Sequence, residues 1–131
     1  MALSIAVASA QAMGVALASD IGAGAIIEIR SGAKPATPET AAAGTLLVSV
    51  PITGSFTSTG GVLTAADPAS VAPAAAGTAA HFRLKKSGGA AVLDGTVTAT
   101  GGGGDMQLGS TTITMGVNVD LGVPTLTVPV A

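Results

Sequence analysis

The sequence predicts an all-β fold: an antiparallel β-sandwich of about seven or eight short strands with one N-terminal α-helix. Three observations carry that expectation. From Ala25 onward, apolar residues recur at alternate positions in segment after segment, as they do along a strand with one buried face. Gly and Pro, 19 and 7 of 131 residues, separate those segments, giving turn signals roughly every ten residues. Only the stretch before Ala25 keeps a helical period. A small closed barrel is the competing architecture.

The helix is read from Leu3, Val7, Ala10, Gly14, Leu17 and Ile21, whose spacing alternates four and three and forms one stripe. Ile5, Ala8, Ala12 and Ala16 widen it. The helix is expected from Leu3 to about Ser19, closed by the "GAG" at Gly22 to Gly24. Residues 1–24 are therefore an N-terminal apolar helix or arm, and 25–131 the sandwich domain. The stretch Met1 to Ser19 has no charge, and no Lys or Arg precedes Arg30. It thus lacks the basic start of a signal peptide, and it is too short and too rich in Ser, Gln and Gly to cross a bilayer. A helix without a charged face needs cover, from its own sheet, a symmetry mate or a neighbouring protein.

The strands follow in order. "AIIEIRS" sets Ile27 and Ile29 against Glu28 and Arg30, and "SGAKPATPETAAAG" is a loop by its Pro and Gly content. "TLLVSVPI" is a second strand, and "GSFTSTGGVLTA" a short pair broken by glycines. "AHFRLKK" points Ala80, Phe82 and Leu84 one way and His81, Arg83 and Lys85 the other; "SGG" turns, and "AAVLDGTVTAT" returns as its hairpin partner. "GGGGD" connects to "MQLGSTTITMG" and "VNVDLGVPTLTVPV", which complete the set, with Val117, Val119 and Leu121 inward.

Composition narrows the function classes. Charged residues make up 9% of the chain with a net charge of −2, against about 25% charged in ordinary domains. The basic residues form no run and only 2% of residues are aromatic, so nucleic acid has neither a charged track nor a stacking platform. There is no Cys for a disulfide or thiolate site. A surface of Ala, Gly and Thr loses little side-chain entropy when covered, which suits a subunit packed in an assembly.

One further pattern spans the chain from Ile27 to the last strand. "IEIRSGAKPATPETAAAGTLLVSVPI" (Ile27 to Ile52) resembles a family of small virion structural proteins of tailed bacteriophages and prophages, whose members show an "IEIRTGA" strand, a "PATP"-like loop and a "GTLLA" entry to the next strand. "GTAAHFRLKKSGGAAVLDGTV" resembles the family's "GTAGHFRI…G…GTV" hairpin, and "GGGGDMQLGSTTITMGVNVDL" its "GDLxLDNTSIxxGQxVTV" ending. The first twenty or so residues depart from it, since relatives carry a polar, charged helix there. The family has no catalytic motif, so the resemblance implies a place of work in the virion, on the capsid shell or in the tail, and no site residues to transfer.

Among chemically capable residues, His81 is the only His, and beside Arg83 and Lys85 it is the first candidate for a base or an anion contact. With no second His and no Cys, it has no partners for a metal site. No G-x-S-x-G elbow supports a serine nucleophile. "GGGGD" lacks the Lys and Ser or Thr of a phosphate loop, and Asp94, Asp105 and Asp120 lack calcium-loop spacing. Glu28 and Arg30 alternate outward on a strand and read as a cross-strand or inter-subunit ion pair, worth little energy where exposed. The expectation is therefore a non-enzyme with no cofactor and no metal: a capsid-decorating (cement) subunit, or alternatively a minor tail or fibre-associated module touching the host surface. Its partners would be the major capsid protein or a tail protein and copies of itself in a cyclic homo-oligomer such as a trimer, with no nucleic acid and no membrane. Contact is expected through Leu3, Val7, Leu17 and Ile21 on the helix and His81, Arg83 and Lys85 on the basic strand. Localisation would be the virion, assembled in the bacterial host cytoplasm.

Overall fold

The computed structural model describes residues 4–127. Among the described residues the chain is mostly β with one helix. Helix α1 spans Val7–Ile21 rather than Leu3 to Ser19. It is followed by β1 (Ile26–Arg30), β2 (Leu46–Pro51), β3 (Thr57–Thr59), β4 (Val62–Thr64), β5 (Gly77–Thr78), β6 (His81–Lys85), β7 (Ala91–Ala99), β8 (Met106–Leu108), β9 (Thr112–Ile113) and β10 (Thr125–Thr127). A five-stranded sheet has the order β2-β1-β6-β7-β8, a three-stranded sheet the order β10-β4-β3, and β5 pairs with β9. The all-antiparallel expectation fails at one place, because β8 runs parallel to β7. The strand expected at "VNVDL" is reduced to a single bridge between Val119 and Val71.

The alternation in "IIEIR" and "HFRLK" does set one core face. Ile27 lies opposite Leu84 and Val50, and Ile29 opposite Phe82 and Val48, so six buried apolar side chains line one side of the central strands. The three-stranded sheet turns its Leu63 face toward this layer: Leu63 pairs with Ser58 and Leu126, all on one side, leaving Thr57, Thr59, Thr64, Thr125 and Thr127 on the other. Phe56, Leu63 and Ala65 join the same buried cluster as the central strands.

Helix α1 lies on the β3–β4 hairpin, burying Ala10, Gly14, Ala18 and Ile21. Small residues on this stripe permit a close approach. A Cβ added at Gly14 would come within 2.2 Å of the Ser58 hydroxyl oxygen. Gln11 seals the contact, donating from Nε2 to the Ser58 carbonyl at 3.0 Å. The helix ends where Gly22 turns to φ 70° and its N–H reaches back to the Ala18 carbonyl at 3.0 Å. Val7 sits over the hairpin turn at Gly60 and is 71% exposed. Leu3 lies outside the described residues. No described helix is long and apolar enough to cross a membrane.

The parallel pair β7–β8 has a local cause. Parallel strands ordinarily need a crossover of a dozen or more residues, yet here "TGGGGD" alone separates Ala99 from Met106. The glycine run folds flat against β7. Gly101 and Gly103 take φ of 86° and 80°, in the left-handed region. At Gly102 and Gly104 the constraint is space, since a Cβ would lie 2.7 Å and 2.8 Å from Thr98 side-chain carbons. The return is pinned by the Asp105 carboxylate, which accepts from Thr96 N at 2.9 Å and Thr96 Oγ1 at 3.1 Å, and by Gly104 N donating to Thr98 Oγ1 at 3.0 Å. Either Gly102→Ala or Gly104→Ala is expected to lower the unfolding free energy by roughly 1–3 kcal/mol in urea titrations. Gly109→Ala, whose Cβ would meet nothing, is the silent control.

Candidate functional site

The chemically capable residues gather on the face of the central sheet opposite the core. Register alone brings them there. Glu28 lies across from Arg83, and Arg83 across from Asp94; Arg30 lies across from His81, and His81 across from Thr96. The polar sides of β1, β6 and β7 thus form two adjoining rows.

These rows are not the wet outer stripe that the alternation predicts. His81 is 0% exposed and Arg83 6%. The loop between β1 and β2 folds over them, its neck closed by Ser31 N to the Thr45 carbonyl (3.1 Å) and Thr45 N to Ser31 Oγ (2.9 Å). Two side chains hold it down from beneath. His81 Nδ1 donates to the Gly32 carbonyl, and Arg83 Nη2 donates to the Thr40 carbonyl at 2.7 Å. Glu28, expected exposed, is likewise buried. The physical reason is long-range cover: a polar strand face can be buried when backbone carbonyls satisfy its donors, as at His81 and Arg83, and when cations satisfy its carboxylate, as Arg30 and Lys85 do for Glu28.

Within this layer Arg83 and Asp94 form a bidentate pair, Nε to Oδ1 at 2.7 Å and Nη2 to Oδ2 at 2.9 Å. Beside them Glu28 is shared between two cations. Its Oε1 accepts from Arg30 Nε and Nη2 at 3.3 and 3.2 Å, and its Oε2 from Lys85 Nζ at 3.3 Å. The Arg83 guanidinium holds the Asp94 carboxyl below its ordinary value, chiefly by hydrogen bonding and against the opposing effect of burial. In return, the hydrogen bond to Asp94 lifts the Arg83 guanidinium further above its usual range. Buried, bidentate and charge-assisted, this pair fixes geometry more than it supplies net stability.

Chemically the charged groups of this arrangement are committed to one another. His81 spends one nitrogen on Gly32, and the other, Nε2, is buried without a partner. Asp105 is occupied by Thr96, and Asp120 Oδ1 accepts from Gly122 N at 3.0 Å. Among the described residues, no three His, Cys, Asp or Glu side chains come together so as to hold a metal ion.

The residues expected to make contacts therefore divide. Ile21, His81 and Arg83 are buried within the chain, Leu17 packs partly against the core, and Lys85 is half-buried beside Glu28. Of the described ones, Val7 alone stands well clear. Sequence reading missed the Arg83–Asp94 pair, because the register beside the "SGG" turn, with Lys85 opposite Ala91, shifts by one residue between Leu84 and Lys85 before Arg83 meets Asp94.

Comparison with models of known protein families, with curated proteins and with solved structures finds no match to this chain.

Removing the Asp94 charge should leave Arg83 buried and uncompensated. Asp94→Asn is expected to lose roughly 3–5 kcal/mol at neutral pH by chemical denaturation. Because the folded Asp94 pKa is depressed, its stabilisation is complete above the unfolded carboxylate value and disappears as pH falls through the folded one. The wild-type chain should thus lose stability on acidification below about pH 4. In Asp94→Asn that acid limb should be flatter, as urea midpoints measured at neutral pH and on acidification will show.

Proposed function

We propose that this chain is a non-enzymatic virion structural protein of a tailed bacteriophage or prophage. In this reading it is a capsid-decorating subunit that stabilises the shell through repeated contacts with the major capsid protein. The five-stranded sheet and the β10-β4-β3 sheet are the two layers of a sandwich, and the subunit repeats as a cyclic oligomer such as a trimer.

The observation that carries the reading is the outer face of α1. With one side fixed on the β3–β4 hairpin, the helix presents Ala12, Met13, Val15 and Ala16 outward, and its only charge, Asp20, is tied to Lys86 at 2.7 Å. Such a face has little hydration to lose and few rotamers to freeze on docking, which suits a weak contact multiplied by symmetry. The segments that carry the sequence resemblance also meet in one place. The loop beginning "SGAKPATP" is tied by Gly32 and Thr40 to His81 and Arg83 of the "HFRLKK" strand. Phe56 and Phe82, at 4% and 6% exposed, offer no platform for a sugar, which favours the shell over a host-glycan contact in the tail.

The double substitution Ala12→Glu, Ala16→Glu tests the reading without touching the buried stripe. Thermal unfolding of the isolated protein should be unchanged, while its occupancy on purified particles falls severalfold. Undiminished occupancy would remove the helix from the contact. Gel quantification of the particle should find hundreds of copies if the shell is the site, and a few rings' worth if the tail is.

A further inference from the structure

The two main sheets do not close on each other along their whole length. Between them opens a cleft of about 610 Å³. Its floor is apolar: Ile27, Phe56, Phe82, Leu84, Leu93 and Leu126. Its rims are of a different kind. Leu93, Asp94 and Gly95 all line it, and so do Asp105, Met106 and Gln107 on one side and Thr125, Leu126 and Thr127 on the other. Successive side chains of a strand point to opposite faces, so three consecutive residues can border one cleft only where it runs along the strand's edge.

The pairing records the same edges. β8 pairs with Val97, Thr98 and Ala99 and no further, which leaves the Ala91–Gly95 half of β7 with β6 on one side and no strand on the other among the described residues. Among the described residues, β10 pairs with β4 alone. The direction of the free groups follows from their neighbours. Val97 N donates to the Ala80 carbonyl on the β6 side, whereas Thr96 N turns away from β6 to the Asp105 carboxylate. By alternation, the Asp94 N–H and C=O point the same way as those of Thr96, into the cleft. The Asp94 side chain is meanwhile committed to Arg83 on the far face.

We infer that this cleft receives an extended strand from another protein chain, paired edge to edge with β7 at Leu93–Gly95 and lying beside β10. The outward N–H and C=O groups of Asp94 on one rim and of Thr125 and Thr127 on the other specify a strand as the occupant, and the apolar floor specifies apolar side chains at every second position. The Asp94 carboxylate is spent on Arg83 on the far face, so the charge at the rim is that of Asp105, which is held by Thr96. The inference stands independently of the virion reading, because it rests on the edges and not on the helix.

The test uses the full chain and a synthetic eight-residue peptide of alternating Val and Thr, capped and flanked by Lys for solubility. Hydrogen exchange should show the outward-facing amides of Asp94, Thr125 and Thr127 exchanging readily in the free protein and slowing at least tenfold when the peptide saturates. An analogue N-methylated at every second residue should not protect them. Leu93→Arg should weaken binding at least tenfold, with exchange in β1 and β2 reporting that the fold is intact; if that variant does not fold, the N-methylated analogue decides alone. No saturable protection by the unmodified peptide would overturn the proposal. So would edge amides already protected in the free chain, since its own residues would then fill the cleft.

Discussion

The Arg83–Asp94 pair is the constraint around which the polar half of this fold is arranged. It spans the β6–β7 hairpin, and through the third bond of Arg83 to Thr40 it also anchors the long loop that roofs the sheet. Loss of either charge would strand the other in a place where water cannot reach it. Glu28, drawn between Arg30 and Lys85 one strand away, extends the same pattern to β1. With two carboxylates set among three cations, the layer is cross-braced across three strands. The apolar layer on the opposite face is made of Ile, Val, Leu and Phe, which pack against one another without directional bonds. Rigidity on one face and adaptable packing on the other are thus supplied by different physics.

Much of this was legible from residue order. The alternation in "IIEIR" and "HFRLK" correctly divides core from polar side chains, and "SGG" correctly reverses the chain. Periodicity reports which side of a strand a residue takes, but not what lies above that side. The cover over His81 and Arg83 comes from Gly32 and Thr40, each more than forty positions away, and no local pattern encodes that approach. The helix shows the same limit. Its stripe of Ala10, Gly14 and Leu17 is visible as a period, yet the small residues in it become intelligible only when the Ser58 side chain is found against Gly14 and Gly61 against Ala10.

The parallel strand was illegible for another reason. Turn signals mark where a chain reverses, and two strands joined by a short glycine-rich segment are ordinarily antiparallel. In this chain the segment reverses twice, and it can do so because neither bulk nor a restricted φ obstructs it along β7. The residues that permit the double reversal are the same ones that look like an unstructured spacer.

That resemblance to a spacer has a practical side. A designer choosing where to splice a peptide tag or display cargo would pick "GGGG", the most linker-like stretch of the sequence. It is among the least permissive, because an added side chain runs into Thr98 at Gly102 and Gly104 and is strained by the positive φ at Gly101 and Gly103. The tolerant place is the turn between β6 and β7, where a side chain at Gly88 would meet open space. Cargo inserted there would project from the end of the hairpin, away from both sheets and the glycine return.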